Sequence, residues 1–253
     1  MKPVRALAIV CVAAIFCLEA NIIWGQGLMI PMHGPINRSM GGAATAAPLD
    51  ATGALYWNPA TISGLPQSEL EFGFEMVIPD LVTESSIAGL GSGATGAEPG
   101  VTPVPTIGWV HHSEDSCFTY GLGLIPVAGF KTNFPASLTN PILTPQPNAP
   151  GVPGGFGRVF TQAEFYEFLP TVSCAVTERL SIGGGPTVTM GELIVDPLVF
   201  AAPDDADGSL APRYPSGRGT RMAWGGGAQL GAYYIMDNGL HFGANIKTPQ
   251  WME

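Results

Sequence analysis

The stretch ELEFGFEMVI (69–78) alternates with a period of two. In an extended chain Leu70, Phe72, Phe74, Met76 and Ile78 fall on one side, and Glu69, Glu71, Gly73 and Glu75 on the other. Such a ribbon has two homes. In a soluble sandwich the apolar side is core and the glutamates meet water. In a membrane barrel the apolar side meets lipid and the glutamates line a lumen. One strand does not choose between them.

The pattern recurs in six further stretches: 105–112, 117–125, 165–176, 179–190, 221–234 and 240–247. Ile107 and Trp109 share a side, as do Phe118, Tyr120, Leu122 and Leu124, and Leu240, Phe242, Ala244 and Ile246. The strand charges Glu167, Arg221 and Lys247, with His241, fall on the polar side, where they join Glu69, Glu71 and Glu75 as candidate lumen residues. A lysine or arginine facing lipid at mid-bilayer costs about 2–4 kcal/mol, so this sorting is what a lipid-facing wall demands. Glu164 and Glu192 break the parity, but both stand at strand ends beside long connections.

Short and long connections alternate. Residues 113–116, 177–178 and 236–239 are tight, the last with an Asn-Gly turn signal. Residues 79–104, 131–162 and 193–219 are long and rich in Pro, Gly, Asn and Asp. A sandwich has no reason to sort its loops this way, whereas a barrel with short periplasmic turns and long external loops does.

Composition agrees. Only 12% of the 253 residues are charged while 46% are hydrophobic, and the mean hydropathy is +0.25. Soluble domains usually carry about 25% charged residues. Beyond residue 24 no apolar run is long enough for a membrane helix. A net charge of −10 speaks against a nucleic-acid partner. Lys2 and Arg5 precede the apolar run 6–18, and Ala20 and Gly25 follow, which reads as a secretory signal over 1–25. A membrane-anchor helix is the alternative, for which the run is short. Cys11 and Cys17 leave with the signal. Parity places the remaining pair, Cys117 and Cys174, on opposite sides of their strands, so no disulfide is expected between them.

Residues 26–68 do not alternate. They are too apolar for a solvated tail and too irregular to face lipid, where unpaired backbone groups are not tolerated. A compact plug inside a barrel suits both constraints. Within it, Tyr56, Trp57, Asn58, Pro59 and Ala60 pair aromatic bulk with a fixed turn: the proline holds Asn58 extended, and asparagine bonds nearby backbone. The expectation is a gating plug whose turn docks near Glu69, Glu71 and Glu75. An ordinary turn before a strand is the alternative.

The run RSMGGAATAAPLDATGALYWNPATISGL (38–65) resembles the N-terminal hatch of the FadL/TodX family of outer-membrane transporters for long-chain fatty acids and hydrocarbons. The likeness rests on Met-Gly-Gly-Ala, a small-residue spacer with Asp50, and Asn-Pro-Ala before the first strand. AWGGGAQLGAYYIMDNGLHFGANIKTPQ (223–250) is similar to a later hairpin of that family. The resemblance implies an all-β, transmembrane antiparallel barrel with an N-terminal plug, exported to the outer membrane of a Gram-negative-type bacterium. It implies passive uptake of a hydrophobic ligand: capture by external loops, movement of the plug, and lateral release into lipid. It also implies a kinked third strand with a side window, for which Gly121, Gly123 and Pro126 are the candidates, although the strand could simply end at Pro126.

No catalytic arrangement stands out, and no cofactor or metal is implied. His111 and His112 beside Glu114 and Asp115 read as a polar turn, and Asp204–Gly208 (DDADG) lacks the distal glutamate of a calcium loop. A general porin and a non-transporting surface or adhesion barrel are the competing functions. Seven strands are odd for a bacterial barrel. The expectation is therefore an N-terminal part of a larger barrel, a monomer when complete, with outer-membrane lipid and a long-chain fatty acid or hydrocarbon as partners.

Overall fold

The computed structural model describes residues 29–30, 33–149, 151, 153–205, 208, 211–219 and 221–253. The signal read at 1–25 lies outside these residues. The seven alternating stretches form one antiparallel sheet in chain order. Its strands are β1 Glu69–Val77, β4 Thr102–His112, β5 Phe118–Phe134, β6 Val159–Ala175, β7 Leu180–Asp196, β8 Ala223–Ile235 and β9 His241–Lys247. A short β10, Trp251–Met252, pairs with β8 on the same edge as β9. Lys247 stands opposite Gln229 and Trp251 opposite Gly226, four steps on one strand against three on the other. β9 and β10 are thus two pieces of one ribbon, interrupted by a bulge at Thr248, Pro249 and Gln250. Among the described residues β1 and β9–β10 are the two edges of an open sheet.

The two faces answer the question raised by residues 69–78. Leu70 is 74% exposed, Phe72 68% and Ile246 69%; Trp109, Tyr120, Leu122, Phe168, Trp224 and Phe242 continue this apolar outer face across the sheet. So broad an apolar surface marks contact with another apolar phase. The inner, polar face is covered by residues 33–65. Ala51, Ala54, Leu55 and Ile62 of that segment are fully buried against Val110, Ile125, Val127 and Leu169 of the wall. The apolar sides of the strands do not meet one another, and the core lies between wall and inner segment. Each of Leu55 and Ile62 contributes about 1.5–3 kcal/mol by leaving water.

Three differences from the sequence reading stand out. First, β5, β6 and β7 run to 17 residues each. That exceeds the roughly 9–11 residues a tilted strand needs to cross a bilayer, and the extra length runs into what reads as loop in the sequence. Second, the connection 79–104 carries its own hairpin, β2 Val82–Ile87 with β3 Gly91–Gly96. The fully buried Asn140 ties this hairpin to the next loop, donating from Nδ2 to the Thr83 carbonyl (3.1 Å) and to Thr95 Oγ1 (3.2 Å). Third, Cys117 and Cys174 form a disulfide, with Cα atoms 4.9 Å apart. The parity argument failed because Cys117 lies in the turn, one residue before β5, where the pleat no longer fixes its side. Phe118, the first paired residue, stands directly opposite Cys174.

Candidate functional site

The inner segment begins at His33 and turns at Gly34 (φ 83°) into α1, Pro35–Ser39. Proline at a first helical position gives up a donor that has no partner there in any case. Asn37, fully buried, accepts from the Ala44 amide at Oδ1 (3.1 Å) and donates from Nδ2 to the His33 carbonyl (3.1 Å). α2, Ala51–Trp57, starts where three carboxylates take its first three amides. Glu69 accepts from Ala51, Glu71 from Thr52 (2.8 Å), and Asp50, the N-cap, from Gly53 (2.7 Å). Glu71 also accepts from Thr52 Oγ1 (3.1 Å). Burial pushes the Asp50 carboxyl above its ordinary range, against the pull of the Gly53 and Asn37 amides. Two strand glutamates thus replace the water that a free helix end would need.

At the far end of α2, Asn58 is fully buried and extended (φ −159°, ψ 102°). Its Oδ1 accepts from the Ala60 amide (3.1 Å). Its Nδ2 donates to the Thr45 carbonyl (2.7 Å) and to the Ala232 carbonyl of β8 (2.9 Å). Gln229 donates to the Leu55 carbonyl (3.0 Å), and Ser173 to the Ala60 carbonyl (3.2 Å). The Asn58–Ala60 turn therefore docks on β6 and β8. Glu69 and Glu71 hold the opposite end of the helix, and Glu75 pairs with Arg38 at 2.9 Å. The expected meeting of turn and carboxylates is replaced by a helix held at both ends. The wall is shaped to receive it: a Cβ on Gly121 would overlap Leu55, one on Gly183 the Pro59 carbonyl, and one on Gly231 Asn58 Oδ1.

Tyr56 and Trp57 meet edge-on at 5.4 Å, and the His33 ring lies 3.8 Å from Tyr56. Lys247 from β9 places its Nζ 3.3 Å from the centre of the Tyr56 ring and 3.2 Å from Glu167 Oε2 of β6. Two of the candidate lumen residues are thus brought onto the inner segment's aromatics by charge pairing and by cation–π contact. His241 instead meets the Tyr233 hydroxyl at 2.9 Å, and Arg221 is exposed, two residues before β8. Residue identity carried no forecast for His33. Burial, aided by the fields of Lys247 and Arg38, drops its pKa to about 4 despite a bond to the Pro126 carbonyl.

That carbonyl sits where the wall parts. β4 pairs with β5 only from Ile107 to His112, opposite Leu124 to Thr119. Above this, β4 stays with β1 up to Thr102, and β5 stays with β6 up to Phe134. The register of β5 slips between Pro126 and Ala128, leaving Val127 as the extra residue. The edge so exposed is met by the incoming chain: the Ile30 amide donates to the Val127 carbonyl (3.0 Å), and Met29 bridges Ala128. In the gap lies a cavity of about 380 Å³ lined by Val77, Val104, Pro126, Ala128, Phe130 and Tyr166 among others. That is a size typical of small-molecule sites. Pro126 borders it. Gly121 and Gly123 do not: they sit in the paired half of β5, under Leu55.

No protein-family model matches the chain, and no curated protein matches it by sequence. Solved structures do match. The P. putida toluene transporter TodX aligns with a TM-score of 0.58 at 18% identity, over 85% of this chain and 62% of that one. The Ralstonia pickettii toluene transporter TbuX gives 0.60 at 18%, over 86% and 57%. A Pseudomonas aeruginosa FadL homologue gives 0.54 at 16%, over 86% and 51%. The resemblance read from residues 38–65 and 223–250 holds at the level of fold: the chain has the architecture of part of a FadL-type antiparallel barrel. It spans between half and two thirds of the length of these structures.

Proposed function

We propose that this chain belongs to a channel of the outer membrane that takes up hydrophobic small molecules passively and is not an enzyme. Residues 26–68 act as its plug and residues 69–253 as the wall, reached after signal-dependent export. The observation that carries the reading is the apolar cavity at the parting of β4 from β5, placed where the inner segment meets the outer face. A ligand caught between the interlocked external loops would pass down to this cavity, and the slip at Pro126 would let it leave sideways into lipid. The filled inner face argues against a general porin, whose lumen must admit water and sugars.

The test is uptake of radiolabelled dodecane into cells that produce the protein, with sugar permeation measured alongside. Dodecane uptake without sugar uptake supports the reading; sugar uptake, or no uptake of either, overturns it. Deleting Val127 should rejoin the register of β5 and lower dodecane entry by about tenfold or more. Unchanged entry in a folded Val127 deletion would remove the lateral route.

A further inference from the structure

We propose that the ion pair of Glu167 and Lys247 sets the acidity at which His33 lets go of the Pro126 carbonyl and residues 29–30 come off β5. The contacts run in a row from the wall to the bulge. Glu167 of β6 holds Lys247 of β9 at 3.2 Å. Lys247 Nζ lies 3.3 Å from the centre of the Tyr56 ring, and the His33 ring lies 3.8 Å from the same ring. His33 in turn bonds the Pro126 carbonyl, where the register of β5 slips. The incoming chain is fastened at that slip: Ile30 donates to the Val127 carbonyl, and Met29 bridges Ala128.

The imidazole is housed as a neutral ring. It is 2% exposed, and its Nδ1 is enclosed with no partner. A proton added there would find no acceptor, so a charged His33 turns to water and gives up the carbonyl. Burial is the main cause that keeps the ring uncharged, against the pull of the carbonyl; the field of Lys247 comes next, and that of Arg38 after it. Lys247 is 21% exposed against 40% for Arg38, so solvent screens it less. Glu167 cancels part of the Lys247 field, so the balance of the pair fixes the net push on the ring. The other charges nearby are answered locally. Glu75 pairs with Arg38, and Asp50, beside Gly34, accepts from the Gly53 and Asn37 amides. Lys131 and Glu164 stand farther along β5 and β6 at the cavity and carry opposite charges. Burial keeps the Tyr56 phenol protonated. With a folded pKa of about 4 against 6.5 for the free side chain, the His33 bond is complete above about pH 6.5 and is lost as pH falls toward 4.

The experiment follows the His33 ring by NMR in the detergent-solubilised full chain from about pH 7 to about pH 3, its signal identified by its loss in His33→Gln. A nitroxide on Met29→Cys reports release of the incoming chain. Lys247→Met removes the positive field and should raise the ring's midpoint by about one unit. Glu167→Gln leaves the amine unopposed and should lower the midpoint by a similar amount. Lys247→Arg keeps the charge and should leave the midpoint in place. In each variant the label should loosen over the pH range in which the ring titrates. Lost packing alone would move the two midpoints the same way. Midpoints that shift together or not at all therefore overturn the proposal, as does a label whose loosening does not follow the ring. Should Lys247→Met not fold, Glu167→Gln decides alone: a midpoint equal to or above that of the unaltered chain overturns the proposal. No ligand enters these measurements, so their outcome is separate from that of the transport reading.

Discussion

Strand β5 is two different walls in one ribbon. From Phe118 to Leu124 it is paired on both edges and roofed by Leu55, and it begins beside a disulfide. From Pro126 to Phe134 its only partner strand is β6, the incoming chain meets its other edge at Val127 and Ala128, and a cavity stands where β4 should be. Polarity does not explain this, since the wall parts at Pro126, before the polar residues Lys131, Thr132 and Asn133 are reached. One extra residue and one proline do: proline lacks the amide that the ladder needs, and the bulge at Val127 turns the strand away from its neighbour. A wall segment can thus become an edge through backbone geometry.

The strongest test of the contrast is packing. Leu55→Ala should cost about 2–5 kcal/mol, because it empties a fully enclosed site over the lower half. Phe130→Ala, which borders an existing cavity in the upper half, should stay within about 1 kcal/mol. Urea midpoints of the detergent-solubilised protein measure both, and equal losses would erase the distinction. Next comes the covalent tie. Cys117→Ser combined with Cys174→Ser should cost about 2–4 kcal/mol. It should speed amide exchange in residues 118–124 while leaving 128–134 as they are.

A third test works at the junction of the two halves, where His33 bonds the Pro126 carbonyl. Its folded pKa of about 4 lies below the ordinary value of 6.5. The neutral ring is the native form, so its contribution is complete above about pH 6.5 and is lost as pH falls toward 4. The loss is at most about 3 kcal/mol. Leak conductance in planar bilayers should rise over that window, and His33→Gln should flatten the rise. The smallest effect is expected from Pro126→Ala. It restores an amide but not the register, so stability should change by less than about 1 kcal/mol and dodecane entry by less than the Val127 deletion achieves.

What could be read in advance follows from what each element depends on. Period-two alternation in residues 69–78 and 240–247 is imposed by lipid on one side and contacts on the other, so those strands were plain. The hairpin β2–β3 was not: VTESSI and GSGATG carry no apolar alternation, and the glycines at 89 and 91, which take positive φ in the turn, were the one hint in the sequence. The disulfide was misjudged because parity holds only inside a pleat. Tyr56, Asn58 and Glu167 were singled out by residue type, but their partners were beyond reach. Lys247 and Ala232 lie more than 170 residues from the turn they hold. Arg221 shows the converse, a charge counted with the strand that the strand does not include.

The glycines at 121, 183 and 231 carry one more implication. Each weakens its own strand, since glycine packs nothing and loses the most freedom on ordering. The wall has been hollowed in the shape of its lodger. An empty wall would be more than an unblocked hole: it would be slack at the very spots where the tenant had pressed. Occupancy and stiffness are then one property, so whatever dislodges residues 33–65 also softens the strands that enclose them.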